Sequence, residues 1–367
     1  MKTYNLRPDF SPRDFLEMRA GYLAERKRPG MYLSELEYGL LDVHEFVEKI
    51  RSTTFGGYSI FPKDGTVKFV ERPLSRYKLV GAQLTDPFLT HFDLSPQINA
   101  FRGASSLFRE PPYTWQPDDV VSGMHAGRRF NIMIEDIRRR TLQPSFAAKV
   151  KQRRNAVIKD CESADTLIRH VAARVRHLQV LRFDLRFRAG CRIHETGRPI
   201  KHGFARLANN WRKHSWHAAL KGYLWKMQYG LMSGYYIHVV LIADAMRLPH
   251  PEEALADISA AWQTITEHTG EIHDTSHESS PYFSGGTGLW IPGSKRQKRS
   301  ELNRGLKYLL SKDEYFRVRT VQTTSTIFRT TDRIFGRSLI RERSIRTSGK
   351  SRAGPLGAVH PLDPRTC

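Results

Sequence analysis

The stretch Gly-Tyr-Leu-Trp-Lys-Met-Gln-Tyr-Gly-Leu-Met-Ser-Gly-Tyr-Tyr-Ile-His-Val-Val-Leu, residues 222–241, decides the fold. It reads as a β-hairpin, two aromatic-rich runs around a turn marked by Gly230, Ser233 and Gly234. Side chains alternate along a strand. Tyr236 and His238 therefore share one face of the second run, and Lys226 and Gln228 share one face of the first; Trp225, Met227 and Tyr229 take the other. Antiparallel pairing across a short turn sets Gln228 opposite Tyr236 or His238. A histidine, a glutamine and a tyrosine then converge on one patch of sheet, which suits a metal site or a phosphodiester-handling site.

Outward from the hairpin, residues 180–187, VLRFDLRF, alternate as a strand: Leu181, Phe183, Leu185 and Phe187 on one face, Arg182, Asp184 and Arg186 on the other. Ser163 or Asp165 is placed to cap a helix with Leu167, Val171, Val175 and Leu178 as its apolar stripe. Residues 202–220 and 251–268 read as helices, the second stopped by Gly270, and a Gly-rich turn with a short strand occupies 282–292. A last core helix runs from Ser300 to Tyr315. Upstream, Leu33 to Arg51 has helical spacing, 56–118 reads as short strands and loops, and 128–159 as basic helix. The expected fold is α+β: an antiparallel sheet flanked by helices, with a mixed N-terminal extension. The expected divisions are a basic N-terminal region (1–160), the sheet domain (161–328) and an Arg-rich flexible tail (329–367).

The chain has 367 residues and a formal net charge of +22. Such an excess points to phosphate-rich partners, because each neutralised phosphate releases counterions. With 40% hydrophobic and 11% aromatic residues the chain is expected to fold rather than act as a basic disordered segment. No apolar run approaches membrane-spanning length and the N-terminus lacks an apolar signal region, so the expectation is a cytoplasmic protein without a membrane partner. Three isolated cysteines, Cys161, Cys191 and Cys367, suggest a reducing compartment and argue against a Cys-rich zinc site.

The order LRFDL (181–185), GYLWKMQYG (222–230), GYYIHVVLIAD (234–244), the Trp262 helix, GTGLWI (286–291), YLLSKDEYFRV (308–318) and RIFGRS (333–338) resembles the filamentous-phage (inovirus) replication-initiation protein family, including its prophage YagK/YfjJ-type C-terminal domain. The resemblance covers nearly half the chain. It implies an HUH-endonuclease-like (Rep-like) sheet and a rolling-circle initiator that nicks one DNA strand through a tyrosine. In that wider superfamily a His–apolar–His pair with a nearby carboxylate or amide holds Mg²⁺ or Mn²⁺, and a lysine accompanies the tyrosine. His238 matches the second histidine; Tyr236 stands in place of the first, and Gln228 in place of a glutamate. Asp184 is a candidate for the missing carboxylate, or a partner of Arg182 or Arg186. Tyr308 matches the nucleophile. Ser311 falls at one candidate lysine position, with Lys312 one later.

A free phenol has a pKa near 10, so nicking needs a metal ion on the phosphate or a cation beside the phenolate. Lys312 lies four residues from Tyr308 and Tyr315 seven, so all three share one face of a continuous helix. The alternative for both tyrosines is a place at the edge of the core. Lys295, Arg296, Lys298, Arg299, Arg333 and Arg337 are the candidate DNA-binding residues, with host replication proteins as further expected partners. His273, Asp274, His277 and Glu278 read as a loop rather than a zinc helix. The indoles of Trp211, Trp225 and Trp262 read as core. Beside the nicking enzyme stands a second expectation: a catalytically degenerate DNA-binding regulator or accessory protein of the same fold.

Overall fold

The computed structural model describes residues 32–63, 66–78, 87–106, 116–188, 196–230, 233–275, 285–319 and 334–338. Over these the chain is mixed α+β, with seven α-helices and antiparallel sheets. The N-terminal part contributes α1 (Tyr32–Arg51), the hairpin β1 (Tyr58–Lys63) and β2 (Thr66–Glu71), the short strand β3 (Phe92–Leu94) and α2 (Pro96–Ser105). There follow β4 (Val120–Val121), β5 (Met124–His125), α3 (Ala126–Thr141) and α4 (Pro144–Arg174). The sheet-bearing part contains β6 (Leu178–Phe187), α5 (Arg198–Asn210), β7 (Leu220–Gly230), β8 (Gly234–Asp244), α6 (Pro251–Ile265), β9 (Gly270–Asp274), β10 (Gly288–Trp290), α7 (Lys295–Ser311), β11 (Phe316–Val318) and β12 (Phe335–Arg337).

Six strands form the main sheet, in the order β10, β6, β8, β7, β12, with β9 also paired to β6. Of the two registers the sequence left open the hairpin takes the first: Gln228 lies opposite Tyr236, Lys226 opposite His238, and Gly230 opposite Gly234. Both faces of the sheet are covered. Leu181, Phe183, Leu185, Met227, Ile237, Val239 and Leu241 join the larger core, with Ile200, Phe204 and Leu207 of α5 and Ile258 and Trp262 of α6. Leu178, Val180, Leu224, Val240 and Ile242 pack on the other face against Ala164, Leu167, Ile168 and Val171 of α4 and Leu302, Leu306 and Leu310 of α7. Trp211 and Trp262 are sealed in the core, and Trp225 is half-buried against it.

The larger core extends without a break into the N-terminal elements, through Phe46, Ile98, Phe101, Phe130 and Ile134. Strand β11 pairs with β3, Phe316 opposite Leu94, which fastens the chain after α7 to the N-terminal part. The expected division at residue 160 falls inside α4, a continuous 31-residue helix. Ser163 and Asp165 lie within it rather than at a cap; Asp165 instead accepts from Asn303 Nδ2 at 2.7 Å, tying α4 to α7. Pro144 starts this helix, because a ring without an N–H fits the first turn. The N-terminal arm, most of the tail beyond 329, Cys191, Cys367, His277, Glu278 and Arg333 lie outside the described residues.

Candidate functional site

Period-two alternation places Arg182, Asp184, Lys226, Gln228, Tyr236 and His238 on the sheet face covered by α4 and α7. Register aligns His273, Asp184, His238 and Lys226 in one row across β9, β6, β8 and β7. The expectation that Gln228, Tyr236 and His238 fall on one patch of sheet is met by this topology, and Asp184 lies opposite His238 on the same face.

The patch is an enclosed polar network. His238 is 1% exposed and Arg182 0%. His238 Nδ1 lies 2.7 Å from Asp184 Oδ1. On the other ring edge, Arg182 Nε and Nη2 reach His238 Nε2 at 3.2 and 3.1 Å, and Arg182 Nη1 donates to the Gly285 carbonyl at 3.2 Å. A guanidinium only donates, so Nε2 must accept and the ring proton sits on Nδ1, donated to Asp184. Both ring nitrogens are thereby engaged. Gln228 is buried, and among the described groups its amide nitrogen has no hydrogen-bond partner.

A divalent ion does not fit this arrangement. The imidazole lone pair it would need is turned onto a permanently charged guanidinium, and a buried cation stands where the ion would have to approach. Among the described residues no group of three or more His, Cys, Asp or Glu side chains is placed to hold a metal.

A second buried network adjoins the first. Lys226 Nζ contacts Asp313 Oδ2, the two side chains being 2% and 9% exposed. Burial pulls the Lys226 ammonium below the usual lysine range, against the opposing pull of Asp313 and, more weakly, Asp160. The Asp313 carbonyl accepts from Arg153 Nε at 2.5 Å, and Arg153 continues to Asp93 Oδ2 and the Leu94 carbonyl, each at 3.1 Å. Sheet, α4, the end of α7 and β3 are thus locked together by charged groups. Cys161 on α4 is nearby, its thiol pushed up to about 12 by burial, which keeps it protonated and unreactive.

Tyr308 and Lys312 are together, but not across a cleft from His238. Lys312 Nζ lies 4.8 Å from the centroid of the Tyr308 ring, over its face. Leu306, Leu309 and Leu310 are the α7 residues that close over His238 and Lys226, in a narrow crevice. At 100° per residue Tyr308 lies about 200° around the helix from Leu306, on a different flank. Tyr315 does not extend the Tyr308–Lys312 row, because α7 ends at Ser311 and a 3-10 turn, Lys312–Glu314, redirects the chain. Its ring is 2% exposed and packs edge-on to His44 at 4.8 Å, so it is a core aromatic.

The expected phosphate-gripping residues divide in two. Lys295 Nζ donates to the Ala172 carbonyl at 3.0 Å and to that of Val175, closing the end of α4, and Lys298 Nζ donates to the Thr287 carbonyl at 3.0 Å. Arg337 Nε donates to Ser163 Oγ at 2.6 Å. These three make intrachain contacts. Arg296 is exposed and Arg299 half-buried. Sequence reasoning named Arg182 only as a partner for Asp184, and did not anticipate the Lys226–Asp313 pair. The in-phase Arg182 and Asp184 on a strand covered on both faces were the available signal.

Comparison with family models, with curated proteins and with solved structures finds no match to this chain. Among the described residues no helix is long and apolar enough to cross a membrane.

Proposed function

We propose that this chain is a DNA-binding protein of the phage replication-initiator type, holding backbone phosphates on the outer face of the α4–α7 helix layer, with no metal-dependent nicking centre at His238. The observation that carries this reading is the charge of that layer. The two helices hold thirteen Lys and Arg, seven on α4 and six on α7, against four acidic residues, three and one. Lys149, Lys151, Arg154, Lys159, Arg169 and Arg174 stand exposed along α4, with Arg296 and Arg304 on α7. At 1.5 Å per residue Lys149 and Arg174 are about 37 Å apart, close to the ~34–36 Å of one DNA turn. A basic helix of that length suits a duplex backbone better than a compact anion.

The resemblance to inovirus initiators supports DNA over RNA and supports the antiparallel sheet as a Rep-like fold. Its nicking chemistry is the second reading, favoured by the Lys312 ammonium over the Tyr308 ring. One experiment separates the two. The chain is incubated with supercoiled origin-bearing plasmid and Mn²⁺, and the products are resolved under denaturing conditions. Salt-sensitive binding without relaxed plasmid is the expected outcome. A covalent protein–DNA adduct that disappears in Tyr308→Phe would establish nicking instead. RNA outcompeting DNA would overturn the DNA assignment.

A further inference from the structure

We infer that Arg182 is the resident cation of the sheet's polar patch, its guanidinium holding the position on His238 that a divalent ion would need. Three observations carry this. The guanidinium reaches one ring nitrogen through two of its nitrogens, at 3.2 and 3.1 Å, while the opposite ring nitrogen is held by Asp184 at 2.7 Å. The third guanidinium nitrogen is anchored 3.2 Å from the Gly285 carbonyl, so the group is clamped from both sides. Arg182 is fully buried, where a cation persists only if it is paired and hydrogen-bonded.

Arginine does not deprotonate in proteins, so this cation, unlike a bound ion, is not lost to chelators. Its charge offsets that of Asp184 through the imidazole between them, and the tautomer of His238 is fixed in the way a second-shell carboxylate fixes a metal-bound histidine. The charge of Asp184 is therefore balanced without an added ion. Removing the guanidinium would uncover the Nε2 lone pair of His238 while Asp184 keeps the opposite ring nitrogen, and an imidazole donor suits Co²⁺, Ni²⁺ or Zn²⁺ better than Mg²⁺. This inference stands apart from the DNA-binding reading and is tested without DNA.

The full chain, labelled with ¹⁵N-histidine, is titrated with Mn²⁺. The His238 resonances are expected to report the Nδ1–H tautomer and to keep their linewidths; paramagnetic broadening of His238 would overturn the inference. In parallel, melting is followed with and without Co²⁺. The unaltered protein should not move. Arg182→Ala should gain about 4 °C at a hundredfold excess of Co²⁺ over its dissociation constant. That gain should vanish when His238→Ala is added. An equal rise in the unaltered protein would overturn the inference, as would a folded Arg182→Ala that gains nothing. The Mn²⁺ titration decides the matter should Arg182→Ala fail to fold.

Discussion

Asp313→Asn probes how firmly the sheet is tied to the helix layer above it. Lys226 and Asp313 meet with side-chain exposures of 2% and 9%, so both charges are desolvated. Removing one member of such a pair leaves the other uncompensated and costs about 3–5 kcal/mol. The two single changes are not equivalent here. Asp313→Asn leaves the buried ammonium facing a neutral amide. Lys226→Met leaves the carboxylate near Arg317, whose Nε is 4.0 Å away on a side chain 40% exposed. Asp313→Asn should therefore cost about 4 kcal/mol and Lys226→Met about 2 kcal/mol. With about 2.1 cal/mol/K of unfolding entropy per residue, 4 kcal/mol lowers the melting temperature of a chain this long by about 5 °C. The combined Lys226→Met, Asp313→Leu protein should lose about 1 kcal/mol or less, because apolar groups of similar volume replace buried ion pairs with little loss. Denaturant and thermal unfolding at pH 7 of the wild type, Lys226→Met, Asp313→Leu and the double variant closes the cycle; with Asp313→Leu costing about the same 4 kcal/mol as Asp313→Asn, a coupling of about 5 kcal/mol is expected. Single changes each below about 1 kcal/mol, with no coupling, would mean that the pair is hydrated and does not clamp the layers.

Acid should weaken the fold through His44, whose pKa burial lowers from 6.5 to about 4, Glu48 pulling it up and Arg153 and Arg51 down. The unfolded chain then takes up the proton first, so stability present above pH 6.5 is lost as pH falls from 6.5 through 4, by about 3 kcal/mol in all. His44→Phe keeps the edge-on packing against Tyr315 and should remove that part of the pH dependence of unfolding; an unchanged acid limb would refute the assignment. Gly286 has φ +77°, and a Cβ there would lie 2.6 Å from the Lys298 carbonyl oxygen and 2.7 Å from the Leu302 nitrogen. Gly288 has φ +80° with nothing within 4 Å of its Cβ position. Gly288→Ala should cost about 1–2 kcal/mol for the left-handed backbone alone. Gly286→Ala should cost clearly more, by adding displacement of α7, and equal losses would show that the turn does not press on that helix.

The parts of the fold that follow from local alternation were readable in the sequence. The shared face of Gln228, Tyr236 and His238 needed only period-two alternation and a short turn, while the choice of Tyr236 over His238 as the partner of Gln228 came from the folded chain. Helix α6 carried its own apolar stripe, but it stops at Ile265, short of the expected stop at Gly270: the left-handed turn falls on Glu267 and His268, and Gly270 begins β9. What escaped depended on partners distant in sequence. Ser163 and Asp165 look like caps in isolation, yet a helix passes through such residues when its apolar face, here Val157, Ala164 and Leu167, has continuous burial to gain. Lys295 and Lys298 look like phosphate ligands because lysine chemistry is the same whether the acceptor is a phosphate or a helix-end carbonyl; only the folded chain brings Ala172 and Thr287 to them. The candidate site was half legible. Alternation placed His238 and Asp184 on one face, but whether the third partner is a metal or an arginine depends on the rotamer of Arg182, which no spacing rule gives. Tyr315 was drawn onto the Tyr308 face by assuming that α7 continues, and the 3-10 turn after Ser311 breaks that phase.

The salt dependence of duplex binding tests the central claim most directly. Six exposed basic side chains along α4, each meeting one phosphate, give a slope of about −5 in log K against log salt. Changing Lys151, Arg154, Lys159 and Arg169 together to Gln should flatten that slope by about 3.6, with little change in melting temperature because all four are exposed. A wild-type chain that binds DNA with the same slope as this variant would contradict the α4 face as the phosphate-binding surface.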